Sequence, residues 1–167
     1  MGLALLAVWV IFHDPALDYR LVVVGALLPD LVDAPFGGAR VLHSVVASAV
    51  LLAGVMLATR HRRQARRRLL AVPIGTFLHL VLDGMWTRTQ TFWWPFLGHH
   101  LHGRLPPLDR PLAVLVLQEV AGAAALAWLW REWDLADPQV RRRLLRTGRL
   151  PREGPEEKRA RPVRRPS

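Results

Sequence analysis

Residues 41–86 read VLHSVVASAVLLAGVMLAT, then RHRRQARRR, then LLAVPIGTFLHLVLDGMW. Two apolar runs, 41–59 and 69–86, flank a nine-residue insert that carries six arginines. Each run falls within the roughly 17–25 residues needed to cross a hydrocarbon core about 30 Å thick. Short loops rich in Lys and Arg stay in the cytoplasm, so the pattern predicts a membrane helical hairpin with a cytoplasmic turn. Working outward, Pro111–Trp130 is a third apolar run of spanning length. Two shorter runs come first: Leu3–Phe12, and Leu21–Leu28 continuing through Pro29 and Asp30 towards Phe36. The expected fold is all-α, a polytopic membrane helical bundle of four or five helices over residues 1–135. A basic cytoplasmic tail, residues 136–167, follows it.

The composition narrows the function classes. The 167 residues are 51% hydrophobic and contain no cysteine, which excludes disulfides, thiolate metal sites and a cysteine nucleophile. Formal charge is +10, from 23 Lys/Arg against 13 Asp/Glu. Residues 1–130 hold 11 of the basic and 7 of the acidic groups, so the charge is concentrated in the short remainder. A nucleic-acid-binding domain carries its charge on a face of its folded body. Here the body is apolar and its ends are charged, so the expected partners are membrane lipids, with anionic headgroups at the basic loop and tail, and nucleic acid is not one. No phosphate-cradling Gly-rich loop and no G-x-S-x-G elbow is present. The first run has neither a basic n-region nor a small-residue cleavage site and is not read as a removed signal peptide.

With the arginine insert inside, Arg20 and the tail also lie inside, while Asp30–Arg40 and the N-terminus lie outside. Trp86, Trp93 and Trp94 would belt the outer interface, and Trp128, Trp130 and Trp133 the inner one. In the tail, Asp137 suits an N-cap, Pro138 the first helical position and Gly148 the stop. The short basic helix between them could lie on anionic headgroups, each cation near the surface contributing about 1 kcal/mol. From Arg149 the Pro, Glu and Arg content predicts disorder. Gly122-Ala123-Ala124-Ala125 offers a small-residue face for close helix packing.

Ionisable groups inside apolar segments cost several kcal/mol and mark functional sites. Asp30 and Asp33 close the second run, His43 opens the next, and His79 and Asp83 share one helical face through their i, i+4 spacing. At a 1.5 Å rise, His79 lies about 10 Å inside Trp86 and Glu119 about 12 Å inside Pro111, both measured from the outer side. Carboxylates clustered at low dielectric repel one another or protonate unless a cation neutralises them. A divalent metal resolves this, and mixed His/Asp ligation without Cys suits zinc, with manganese or iron as alternatives. A plain reading remains for each: an interfacial hydrogen bond for His43, an internal pair for His79 and Asp83, a cap for Asp33, a packing residue for Glu119. His13 falls on the cytoplasmic side, and His99, His100 and His102 sit in an outer loop where solvent can satisfy them. Ser44 is read as supporting its neighbour His43 rather than as a nucleophile.

Gly25-Ala26-Leu27-Leu28-Pro29-Asp30-Leu31-Val32-Asp33, then Leu42-His43-Ser44, then His79-Leu80-Val81-Leu82-Asp83, then Trp94-Pro95, resembles the membrane-bound metal-dependent hydrolase family. One branch of that family is described as LexA-binding, inner-membrane-associated hydrolases. The resemblance covers residues 20–98 and implies metal-site residues at Asp30, Asp33, His43, His79 and Asp83. Many members carry a His in the first helix and a His-Arg pair shortly before His-Ser; this chain has neither, with Ala39-Arg40 at the latter position. The expected function is a metal-dependent hydrolase with Asp30, His43, His79 and Asp83 around the metal and Asp33 as a further ligand or general base. Asp33 and Asp83 are the catalytic candidates. A site in the membrane suggests a lipid-linked ester or phosphoester substrate. The alternative is a non-catalytic membrane scaffold or regulatory anchor whose basic tail recruits a cytoplasmic partner.

Overall fold

The computed structural model describes residues 1–33, 35, 41–97 and 111–151. All secondary structure among them is helical: α1 Gly2–Phe12, α2 Tyr19–Asp33, α3 Val45–Ala58, α4 Arg63–Leu69, α5 Ala71–Leu82, α6 Thr89–Phe92, α7 Leu112–Glu132 and α8 Pro138–Thr147. Short 3-10 turns at Val41–His43 and Met85–Thr87 precede α3 and follow α5. One helix is long and apolar enough to cross a membrane, α7, whose 21 residues extend about 32 Å. Its Leu112, Leu117 and Val120 are exposed, the surface expected of a helix facing lipid.

Helices α3 and α5 are shorter than the runs that encode them, for local reasons. Ser44 donates to the Val41 carbonyl and its Oγ accepts from the Ala47 N–H at 3.1 Å, so α3 starts at Val45 rather than at the head of the apolar run. Gly84, in the left-handed region at φ 58°, ends α5 after Leu82. The arginine insert is not wholly a loop: residues 63–69 coil into α4, which leads directly into α5.

The central contact is between α2 and α5. A Cβ on Gly25 would collide with the Val72 carbonyl, and one on Gly75 with the Val22 carbonyl. Two hydrogens in place of side chains thus bring the two backbones together. The Thr76 hydroxyl donates across this contact to the Gly25 carbonyl at 2.9 Å. Asp18 meets Arg68 near the start, Gly25 meets Thr76 in the middle and Asp30 meets His79 near the end, so the helices run parallel. A second close approach, Gly2 on the Gly122 carbonyl, seats α1 along α7 and uses part of the small-residue face read from the sequence.

The main apolar core lies at the basic end. Val8, Val22, Ala71, Leu129 and Trp133 pack there, with Trp133 against Trp9 (5.8 Å) and Tyr19 (4.7 Å). Trp133 is therefore a core residue rather than an interfacial anchor, whereas Trp128 and Trp130 are exposed. Helix α8 has the expected ends: Asp137 accepts from the Gln139 N–H at 2.7 Å, and Gly148 closes it at φ 72°. It docks on the body rather than standing free. Arg20 donates to the Leu145 and Arg146 carbonyls, Gly148 accepts from the Tyr19 N–H, and Leu150 donates to Pro15 and enters the core. The disorder expected from Arg149 does not begin there, because Leu150 is buried in the core; residues 152–167 lie outside the described residues.

Asp18 anchors this junction. Its side chain is fully buried and accepts from Arg68 Nε at 2.8 Å and Arg20 Nε at 3.3 Å. Burial alone would raise its pKa; the hydrogen bonds and charges of Arg20 and Arg68 outweigh that and hold it below its ordinary 3.8. A carboxyl depressed in the folded state stabilises above its unfolded pKa, and that contribution is lost as pH falls through the folded value. Asp18→Asn should remove this acid-sensitive part of the stability curve and speed amide exchange at Tyr19 and Gly148 at neutral pH. Unchanged exchange at both amides would show that the anchor is not Asp18. At the central contact, Gly75→Val should cost about 3 kcal/mol or more in detergent unfolding. Gly54→Ala, where a Cβ meets nothing within 4 Å, should not destabilise.

Candidate metal centre

At the end opposite α8, the parallel alignment of α2 and α5 brings two helix C-termini side by side. Asp30 and Asp33 occupy the last turn of α2, His79 the last turn of α5, and Asp83 its C-cap. His43 comes in from the 3-10 turn that leads to α3. Ser44, capping α3 immediately after it, fixes where that turn ends.

Oδ1 of Asp30 is 3.4 Å from Nε2 of His43 and 3.4 Å from Nε2 of His79. These three side chains each offer one ligand atom within 4.8 Å of the others. Asp83 Oδ2 is 3.5 Å from His79 Nε2, on the helical face that the i, i+4 spacing requires. Asp33 meets the other side of His43, its Oδ2 2.7 Å from Nδ1. The two imidazoles stand nearly edge to face with centroids 5.5 Å apart. His43 is fully buried, Asp33 nearly so, and the Asp30 side chain is 46% exposed, which gives the cluster one open side.

The chemistry of the donor set can be tested against a cation. Both Nε2 atoms are buried without a hydrogen-bond partner. A buried ring nitrogen left in this way costs about 1–3 kcal/mol. Asp33 Oδ2 is placed to accept from Nδ1–H of His43, and the other ring nitrogen, Nε2, faces Asp30. A carboxylate on the far nitrogen of a metal-ligating His is a recurring arrangement that fixes the tautomer. A tetrahedral ion with bonds of about 2.0–2.1 Å holds its ligand atoms about 3.3–3.4 Å apart. The two 3.4 Å separations from Asp30 Oδ1 to the histidine Nε2 atoms match that edge. The negative ends of α2 and α5 add to the preference for positive charge. The residues present fit a divalent cation.

Of the residues singled out in the sequence, the structure gathers Asp30, His43 and His79, sets Asp83 beside His79, and turns Asp33 to the back of His43. Glu119 lies across a shared cavity rather than among the ligands. His13 is at the other end, beside Trp133 and Arg131. His99, His100 and His102 lie outside the described residues. Two polar residues of α7 and the helix junction escaped the sequence reading: Gln118, which donates to the Leu82 carbonyl, and Asp18. Gln118 had a signal, a polar amide inside an apolar run. Asp18 had none, because Arg68, the nearer of its two partners in space, lies 50 residues away.

In ¹⁵N spectra of the imidazoles, His43 should be the Nδ1–H tautomer, and Asp33→Ala should shift it towards Nε2–H. A wild-type spectrum already showing Nε2–H would rule out this arrangement.

No curated protein and no solved structure matches the chain. A family match does exist, over residues 1–136, which takes in every helix that builds the centre. Its description agrees with the lipid-length, outward-facing apolar surface of α7. The chain belongs to the YdjM inner membrane protein family.

Proposed function

We propose that this inner membrane protein is a multi-pass metalloprotein whose Asp30, His43 and His79 hold a divalent metal and whose reaction is hydrolysis of a lipid-linked ester or phosphoester. The observation that carries the reading is the pair of buried, partnerless Nε2 atoms converging on the Asp30 carboxylate. Zinc suits two imidazoles and carboxylate, with manganese or iron as alternatives. The orientation has the basic end, with Arg68, α4 and α8, in the cytoplasm against anionic headgroups, and the centre towards the outer face. It rests on the arginine distribution and on the parallel course of α2 and α5.

A bound divalent cation would polarise a scissile carbonyl or phosphoryl oxygen and lower the pKa of a water. The chain's own residues then divide the remaining work. Asp33 holds the His43 ring in one tautomer and orientation. Asp30, half-exposed at the open side, places its carboxylate where substrate enters. Asp83, 3.5 Å from His79 Nε2 and only partly exposed, is the carboxylate that takes up a proton from the attacking water. The resemblance to membrane-bound metal-dependent hydrolases supports a metal site built from these residues, though it implies Asp33 and Asp83 as metal-site residues too.

Protein purified in mild detergent should contain close to one equivalent of transition metal by elemental mass spectrometry. His43→Ala and His79→Ala should lose it, and Asp33→Asn should weaken affinity about 10–100-fold. Asp83→Asn should keep the metal and lose turnover. Wild-type protein without stoichiometric metal, or a His79→Ala variant that retains it, would overturn the reading.

A further inference from the structure

A cavity of about 410 Å³ opens from the Asp30–His79–Asp83 side of the cluster, walled by the start of α1, the second half of α2, the end of α5 and α7. This lies in the roughly 300–1,000 Å³ range of small-molecule sites. Its lining is mixed: Asp30, His79, Asp83, Gln118 and Glu119 are polar, and Leu3, Leu27, Leu115 and Leu126 are apolar. The Nε2 of His79, a residue 7% exposed, is one of the partnerless atoms of the cluster beside it.

The space exists because its walls are small. Gly2 touches the Gly122 carbonyl, which sets the distance between α1 and α7 along one edge. A Cβ on Gly122 itself would meet nothing within 4 Å. Ala4 and Ala123 complete the narrow-bodied wall. A site that sets carboxylates beside a hydrocarbon lining fits an amphiphile. Its polarity is also selective. Among the described residues that line it there is no Lys or Arg, while Asp30, Asp83 and Glu119 all present carboxylates. With a divalent cation at the cluster, the three carboxylates still outweigh its charge, and Glu119 stands apart from it, which favours a head that donates hydrogen bonds without carrying negative charge.

We propose that this cavity binds a single-chain neutral ester lipid, with its chain against the leucines of α1, α2 and α7 and its hydroxyl-bearing head between Glu119 and the His/Asp cluster. The proposal deepens the hydrolase reading, on which it rests, by selecting an uncharged monoacyl ester among the lipid-linked candidates. Glu119 is then the specificity-determining residue, accepting from the head-group hydroxyl.

The test uses the full chain in nanodiscs with two probes, radiolabelled monolauroylglycerol and dodecyl phosphate, and equilibrium partitioning against empty discs as the readout. Monolauroylglycerol should occupy one saturable site per chain, at least tenfold tighter than dodecyl phosphate. Gly122→Leu, whose Cβ enters open space at the cavity wall, should weaken monolauroylglycerol at least tenfold. Glu119→Lys should reverse the preference in favour of dodecyl phosphate. Both variants should keep the wild-type metal content. Equal binding of the two probes, or Gly122→Leu and Glu119→Lys that both bind as wild type does, overturns the proposal. Metal present without saturable lipid binding sinks the cavity assignment alone. Saturable lipid binding in metal-free wild-type protein sinks the metal reading and leaves the lipid site standing.

Discussion

The backbone contact between α2 and α5 is the constraint on which the rest of the molecule depends. With Gly25 against Val72 and Gly75 against Val22, the two helices lie closer than any side chain would permit. Their parallel course then has an electrostatic consequence. Both C-termini, each carrying a partial negative charge, arrive at the same place. Asp30, Asp33 and Asp83 are added there, where the helix ends oppose carboxylates rather than favour them. In a chain selected only for stability, such residues would sit at helix starts. Two imidazoles offset part of this, but Asp33 already engages the Nδ1 of His43. What is left is a half-open pocket of negative potential with two inward ring nitrogens, an arrangement that calls for a cation.

The opposite end solves the inverse problem. Six arginines of the insert, Arg20 and the arginines of α8 crowd one end of the bundle, and Asp18 is the buried anion among them. One carboxylate joins three separate segments: the α1–α2 turn that holds it, α4 through Arg68, and α8 through Gly148. A Cβ at Gly148 would strike that carboxylate, so the glycine that ends α8 also permits its docking. The two ends of the α2–α5 pair are therefore complementary in charge. One holds excess acid around histidines, the other holds excess base around an aspartate.

Much of this was legible in the sequence, and what was missed shares a physical cause. The apolar runs located α1, α2, α3, α5 and α7, but of the three runs of spanning length only the last became a helix of that length; the ends of α8 followed from Asp137, Pro138 and Gly148. The i, i+4 relation of His79 and Asp83 is a local geometric fact that any helix realises. The true starts and stops were harder, because Ser44 and Gly84 interrupt runs that remain apolar on either side. Hydropathy does not register a cap. The deciding glycines were invisible for a different reason. Gly54 faces open space and Gly25 faces another backbone, yet both sit in similar apolar surroundings in the sequence. Only the partner helix distinguishes them, and the same holds for Asp18 and Arg68.

The polar pair Gln118-Glu119 shows how the two levels meet. In the proposed multi-pass arrangement, α5 has only 12 residues, about 18 Å, and ends inside the depth of a bilayer. Its terminal carbonyls would lie where lipid cannot satisfy them, at a cost of several kcal/mol each. Gln118 of α7 donates its amide to the Leu82 carbonyl at 3.2 Å and supplies one of the missing bonds. The same turn of α7 then carries Glu119 to the cavity wall. A short helix needs a donor from its neighbour, and supplying that donor fixes the register of α7 against α5. Once that register is set, Glu119 shares the cavity with the His/Asp cluster without needing any interaction of its own to hold it there.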